Sequence, residues 1–130
     1  MKRLILFAIV TLFLSLNLEA RTADPDTTLT IKFEKLIYDY GTITEGGNGT
    51  CEYVFSNTGN TPLILNNVTA SCGCTVPEWT HEPVQPGKTG IIKIKYNTNI
   101  VGTFVKTVIV ISNAKNSPVI LTIKGNVIEK

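Results

Sequence analysis

The chemistry that this sequence could perform is concentrated in its cysteines. Cys72-Gly73-Cys74 places two thiols one residue apart, and Cys51 is the third cysteine of the chain. Such a pair could exchange disulfides, or its thiolates could hold a soft ion such as Cu(I) with His81 as a third ligand. Structural zinc normally takes four ligands, with the first pair two to four residues apart. Structural zinc therefore fits this chain less well than Cu(I); the site on Cys72, Cys74 and His81 is kept as an alternative, and we expect no cofactor.

The cysteines also have structural interpretations. Cys51 and Cys72 lie on either side of a turn predicted at 57–62, at comparable distances from it, so both thiols should fall near the same end of the fold. A disulfide from Cys51 to Cys72 or Cys74 can form if the Cα atoms come within roughly 7 Å of each other. Three buried free thiols are the other structural interpretation. We favour a structural role over a redox role because no helix is predicted that would activate a thiol.

The segment around the cysteine pair is predicted to be a loop that could bind a ligand or a partner. Trp79, the only tryptophan, either packs beneath this loop as a cap or anchors a partner. His81 is the only histidine, and the chain has no Gly-x-Ser-x-Gly nucleophile motif, so we expect no hydrolase and no other enzyme. The candidate binding residues are Ser71, Gly73, Thr75, Trp79 and His81.

The elements that must position these residues are β-strands. Among residues 21–130, Val, Ile and Thr total 40 whereas Ala and Leu total 8, a balance that favours strands over helices. Short β-rich runs are separated by clusters of Gly, Asn and Pro, as is typical of a sandwich or a barrel. The predicted strands are 29–33, 36–40, 50–57, 63–68, 89–96, 103–112 and 118–128.

Alternation predicts which side chains form the core. Ile92 and Ile94 alternate with Lys93 and Lys95, so the isoleucines should face inward and the lysines should face water. The run 108–111, Val-Ile-Val-Ile, is apolar on both faces, which indicates either a central strand or a surface that contacts a partner. The same parity predicts one core that contains Tyr53, Phe55, Ile92, Ile94, Phe104 and Leu121.

The first residues have the pattern of a secretory signal peptide. Lys2 and Arg3 precede an apolar run at 4–18, and the small residue Ala20 follows. We expect residues 1–20 to be removed, residues 21–28 to form a flexible leader and residues 29–130 to form one domain. That protein would be periplasmic or extracellular and not integral to the membrane. The full chain has a formal net charge of only +2, with no cluster of basic residues, so we expect no nucleic-acid partner.

Several short motifs occur together over about residues 31–127. They are Tyr40-Gly41-Thr42-Ile43, Phe55-Ser56-Asn57-Thr58-Gly59-Asn60, Ser71-Cys72-Gly73-Cys74-Thr75, Pro86-Gly87-Lys88, Gly102-Thr103-Phe104 and Ser112-Asn113. In combination they resemble the bacterial domain of unknown function 1573 family. The resemblance implies an immunoglobulin-like antiparallel β-sandwich of about seven strands, similar to major-sperm-protein-type domains, with no established activity.

We therefore expect an exported non-catalytic module that binds or scaffolds in the bacterial cell envelope. Its partner would be an envelope protein or a glycan that the sequence does not identify. The alternative function is that of a periplasmic thiol-redox or copper-handling protein that uses the Cys-Gly-Cys loop.

Overall fold

Two four-stranded β-sheets form the domain, as the excess of β-branched residues predicts. The computed structural model describes residues 29–130; the predicted signal peptide, 1–20, and leader, 21–28, lie outside them. Within that range, no helix is long and apolar enough to span a membrane. The strands are β1 (Ile31–Phe33), β2 (Ile37–Thr44), β3 (Thr50–Asn57), β4 (Leu65–Ala70), β5 (Thr75–Trp79), β6 (Thr89–Tyr96), β7 (Gly102–Ser112) and β8 (Val119–Ile128).

The sheets have the strand orders β1-β3-β6-β5 and β2-β8-β7-β4. Strand β2 pairs in parallel with β8, whereas the other pairs of neighbouring strands are antiparallel. The chain passes between the sheets after β1, β2, β3, β4 and β6, so each sheet contains strands from distant parts of the sequence. This arrangement is the immunoglobulin-like sandwich that the sequence predicts, with eight described strands in place of about seven.

The core lies between the sheets and contains the six predicted residues. Tyr53, Phe55, Ile92, Ile94 and Leu121 have no exposed side-chain surface, and only 4% of Phe104 is exposed. Tyr96 stacks on Phe104 with ring centroids 3.8 Å apart and so joins β6 to β7. The hydroxyl of Tyr53 donates a hydrogen bond to the carbonyl of Thr122 in the facing sheet, which satisfies a polar group that would otherwise be buried without a partner.

A buried asparagine holds the turn that follows β3. The side-chain amide of Asn57 donates to the carbonyls of Thr61 and Val84 at 2.7 and 2.8 Å. Its Oδ1 accepts a hydrogen bond from the backbone amide of Gly59 at 2.8 Å. These bonds explain why Asn occupies a position that is only 1% exposed. The turn predicted at 57–62 is therefore present, and it is held by its own first side chain.

One strand was not predicted, and it includes part of the predicted binding loop. Thr75–Trp79 form β5, which pairs with β6 at the edge of its sheet. Pro77 lies in the middle of this strand and cannot donate a backbone hydrogen bond. An edge strand tolerates Pro because one of its sides has no neighbouring strand. The loop prediction for Thr75 and Trp79 was wrong for this reason.

Candidate functional site

The two neighbouring cysteines lie in a short turn that connects the sheets. We call residues 71–74 the cysteine turn; it joins β4 of one sheet to β5 of the other. Ser71 is fixed to β7, because its amide donates to the carbonyl of Thr107 at 2.9 Å and its Oγ accepts from the Thr107 amide at 3.2 Å. At the other end, the carbonyl of Cys74 accepts from the amide of Asn97 at 2.9 Å. Both ends of the turn are therefore held by the backbone of the sandwich.

Cys72 and Cys74 form a disulfide, with their Cα atoms 5.3 Å apart. Cys51 is a free, buried thiol in β3. The predicted alternative of a bridge from Cys51 to Cys72 or Cys74 is therefore wrong, and so is the alternative of three free thiols. The expectation that Cys51 and the cysteine turn lie near one end of the fold is correct, since Cys51 pairs with Ile94 and Thr75 pairs with Tyr96.

The reason for the failed bridge is the strand order. Strand β6 lies between β3, which carries Cys51, and β5, which follows Cys74. Neighbouring strands are about 4.8 Å apart, so β3 and β5 are separated by roughly 10 Å. That separation exceeds the roughly 7 Å between Cα atoms that a disulfide can span. The prediction that Cys51 and the cysteine turn lie near the same end of the strands was correct, but the position of β6 between them was not predicted.

Cys51 lies in surroundings that keep its thiol protonated. The residue is only 4% exposed, and desolvation by burial raises its pKa above the ordinary value. A hydrogen bond with the hydroxyl of Tyr40 lowers the pKa, but burial has the larger effect. Burial is also the main reason why the pKa of Tyr40 is raised. A thiol that resists ionisation is a poor nucleophile, so the structure assigns Cys51 to the core and not to a reactive site.

The hydroxyl of Thr75 lies beside the disulfide, a contact that the sequence does not predict. Thr75 is the first residue of β5 and is only 4% exposed. Its Oγ1 lies 4.0 Å from Sγ of Cys72 and 3.8 Å from Sγ of Cys74. The hydrogen bonds of the described residues give this hydroxyl no oxygen acceptor. A buried hydroxyl that faces two sulfurs is a chemical feature that only the folded chain reveals.

Trp79 and His81 lie far from the cysteine turn. Trp79 ends β5 and packs against the core, although not beneath the cysteine turn as the cap interpretation predicts; its ring centroid is 4.6 Å from that of His81. Because the extended chain rises about 3.3 Å per residue, His81 is roughly 20 Å from Cys74. Accordingly, no metal-binding group of three His, Cys, Asp or Glu side chains occurs within residues 29–130. The alternative metal site on Cys72, Cys74 and His81 was wrong, because β5 separates its members.

A second feature of the structure is an apolar surface on the outside of the sheet β2-β8-β7-β4. Ile109 of β7 pairs with Ile120 of β8, Ile111 follows on the same face of β7, and Ile37 pairs with Thr122 of β8. The exposed fractions are 55% for Ile37, 40% for Ile109, 41% for Ile111 and 55% for Ile120. We call these four residues the outer isoleucine face. Neighbouring isoleucines on one solvent-facing surface are typical of a contact site.

The family model for proteins of unknown function designated DUF1573 matches residues 31–127. The chain belongs to this family, which confirms the resemblance inferred from its sequence motifs. No curated protein matches the chain.

Solved structures confirm the fold at low sequence identity. A protein of unknown function from Porphyromonas gingivalis W83 is 17% identical, with a TM-score of 0.70 over 85% of this chain and 51% of that chain. This chain thus spans about half the length of that protein. The ASH/PapD-like domain of human CEP192 is 9% identical, with a TM-score of 0.67 over 85% of this chain and 92% of that domain. One chain of the Acinetobacter baumannii CsuC–CsuE chaperone–tip adhesion subunit complex is 11% identical, with a TM-score of 0.55 over 75% of this chain and 56% of that chain.

Proposed function

We propose that this DUF1573 protein is an exported module that binds another protein in the bacterial cell envelope through the outer isoleucine face. The observation that carries the proposal is that Ile109 and Ile120 are cross-strand partners and are both exposed. Burying such a pair against a partner gives roughly 25 cal/mol for each Å² of apolar surface removed from water. A solvated face of a sandwich would normally carry polar side chains at these positions.

The chemistry of the surface favours a protein over a glycan. Isoleucine side chains offer no hydrogen bond to sugar hydroxyls, and an unpaired hydroxyl is costly to bury. An apolar protein surface has no such requirement. The fold is also similar to part of one chain of the Acinetobacter baumannii chaperone–tip adhesion subunit complex, so the architecture is compatible with protein binding. Fold alone does not specify a partner, and the isoleucine face remains the main support.

Export is supported by the sequence alone. The basic pair Lys2-Arg3, the apolar run 4–18 and the small residue Ala20 have the order of a signal peptide. Sequencing the amino terminus of protein recovered from the envelope should give Arg21 as the first residue. Recovery of protein that still begins at Met1 in a membrane fraction would show that the segment is retained.

A photo-crosslinking experiment tests the binding surface. The photoreactive residue benzoylphenylalanine is placed at position 120 of the exported protein, in cells of the native host. Irradiation should give discrete protein adducts at position 120. The matched control is position 91, because Ile91 is 42% exposed on the other sheet and lies away from the cysteine turn. Adducts of equal yield at both positions, or no adduct at position 120, would refute a binding role for this face.

A further inference from the structure

We propose that the Cys72–Cys74 disulfide accepts two electrons from a dithiol of a partner protein, and that the Thr75 hydroxyl assists by donating a hydrogen bond to the thiolate that is released. This activity is independent of the binding role proposed above. It rests on three features: the pairing of the cysteines, the anchoring of the cysteine turn to both sheets, and the position of the Thr75 hydroxyl.

The hydroxyl of Thr75 is better suited to stabilise a thiolate than to bond to a neutral disulfide. Its Oγ1 contacts both sulfurs at about the limit for a hydrogen bond to sulfur, and its side chain is almost completely buried. A neutral sulfur is a weak acceptor, whereas hydrogen bonds to ionised acceptors are roughly twice as strong as neutral ones. The buried hydroxyl therefore gains its best acceptor only when the disulfide opens and one sulfur becomes a thiolate.

The two sulfurs differ in their surroundings, which assigns their roles. Cys74 packs against the hydrophobic core, so one side of its sulfur is shielded from an incoming group. Cys72 is one residue closer to the middle of the turn, and we assign it as the sulfur that is attacked. Cys74 is then the leaving group. It lies next to the core, where an unsupported charge would be costly, and the Thr75 hydroxyl supplies the donor that this charge needs.

The exchange balances without any further reactant. One thiolate of the partner attacks Sγ of Cys72, forming a mixed disulfide, and the Cys72–Cys74 bond breaks with its electron pair on Cys74. The second thiolate of the partner then attacks the partner's own sulfur in the mixed disulfide, which forms the partner's disulfide and releases Cys72 as a thiolate. The two protons lost by the partner's thiols finish on Cys72 and Cys74. Two electrons have passed from the dithiol to the cysteine turn.

Equilibration with reduced and oxidised glutathione tests the activity first. Purified protein is incubated anaerobically with the glutathione pair, quenched with an alkylating agent and weighed by mass spectrometry. A structural disulfide resists reduction by glutathione. We expect a measurable reduced fraction of the Cys72–Cys74 pair, with Cys51 unmodified in the folded protein. A pair that stays fully oxidised in reducing glutathione mixtures would overturn the electron-accepting activity.

The Thr75→Val variant tests the role of the hydroxyl separately. At pH 9, above the ordinary thiol pKa of about 8.5, the equilibrium constant for reduction should fall about 10-fold, because a hydrogen bond to an ionised group is lost. At pH 6 the released thiols are protonated, and the variant should match the wild type. Thr75→Ser should restore the pH 9 value. The control is Ser71→Ala, which removes a hydroxyl of the same turn that bonds only to backbone.

The outcomes separate the two parts of the proposal. Equal constants for wild type and Thr75→Val at pH 9 would overturn the role of Thr75 while leaving the activity intact. An equal fall of the equilibrium constant at pH 6 and pH 9 would also overturn it, because a structural effect of the substitution would not depend on thiol ionisation. If Thr75→Val does not fold, single-cysteine variants still test the assignment of the sulfurs. Cys74→Ser, which retains Cys72, should react faster with oxidised glutathione than Cys72→Ser, and the reverse order would refute it.

Discussion

The packing of Gly90 against the ring of Phe55 in the core gives a sharp test of the fold. Gly90 of β6 pairs with Phe55 of β3, and a Cβ atom at position 90 would lie 2.4 Å from Cζ of Phe55 and 3.0 Å from its Cε1 and Cε2. Ordinary van der Waals contact begins near 3.4 Å, so the Phe55 ring would have to move by about 1 Å. The ring has no exposed surface and is packed on all sides, so it cannot move without disturbing its neighbours.

The magnitude follows from two opposing effects. Overpacking of this kind costs up to about 3 kcal/mol. Replacing Gly by Ala inside a strand returns about 0.5–1 kcal/mol through the smaller entropy of the unfolded chain. Gly90→Ala should therefore lower the free energy of unfolding by about 2 kcal/mol. In a Phe55→Leu background, where the far end of the ring is gone, the same change should be neutral or slightly stabilising.

Guanidinium chloride unfolding of the four proteins in this double-mutant cycle measures the coupling directly, and we expect it to be about 2–3 kcal/mol. Gly73→Ala is the matched control, because a Cβ atom at position 73 meets nothing within 4 Å. It should change stability by less than about 0.5 kcal/mol. An equal cost of Gly90→Ala in both backgrounds would refute the explanation, since the phenylalanine ring would then not be the obstacle.

Two further predictions concern buried polar groups. Asn57→Ala should lower the free energy of unfolding by about 3 kcal/mol, because it removes three hydrogen bonds: those to the carbonyls of Thr61 and Val84 and the one from the amide of Gly59. Asn113→Ala, at an exposed asparagine, should cost less than about 1 kcal/mol, and equal losses in chemical denaturation would contradict this. Burial raises the pKa of Cys51 in the folded state, so its contribution to stability is complete below the ordinary thiol pKa and is lost as the pH rises through the folded pKa. Wild type should consequently lose more stability above about pH 9 than Cys51→Val, and parallel pH profiles would show that Cys51 ionises as easily in the folded protein as in the unfolded one.

The strands whose positions could be predicted are those with a clear two-residue period. Thr50–Asn57 and Thr89–Tyr96 have the bounds that were predicted, because inward aromatic and aliphatic residues alternate there with outward polar ones. The predicted ends are less accurate for β2, which continues to Thr44 past Gly41. A register shift between Asp39 and Thr42 interrupts its alternation, and the pattern therefore does not show that the strand continues.

The cysteine pairing could not be predicted from spacing, because it depends on strand order. Alternation identifies the face and approximate depth of each residue, but it does not tell which strand lies between two others. Cys51 was placed correctly on the inner face and near the correct end, yet β6 separates it from the cysteine turn. Thr75 was predicted as a binding residue, but the contact of its hydroxyl with the disulfide was not, because it belongs to an edge strand in which Pro77 conceals the pattern.

The run Val-Ile-Val-Ile at 108–111 was predicted to be either a central strand or a surface that contacts a partner. Strand β7 lies between β8 and β4, so the prediction of a central strand is confirmed. Successive side chains of a strand point to opposite faces, and here Val108 and Val110 are buried while Ile109 and Ile111 face outward. A central strand contributes side chains to the core from only one of its two faces. The outward positions could be polar, and the proposed contact with a partner explains why both are isoleucine.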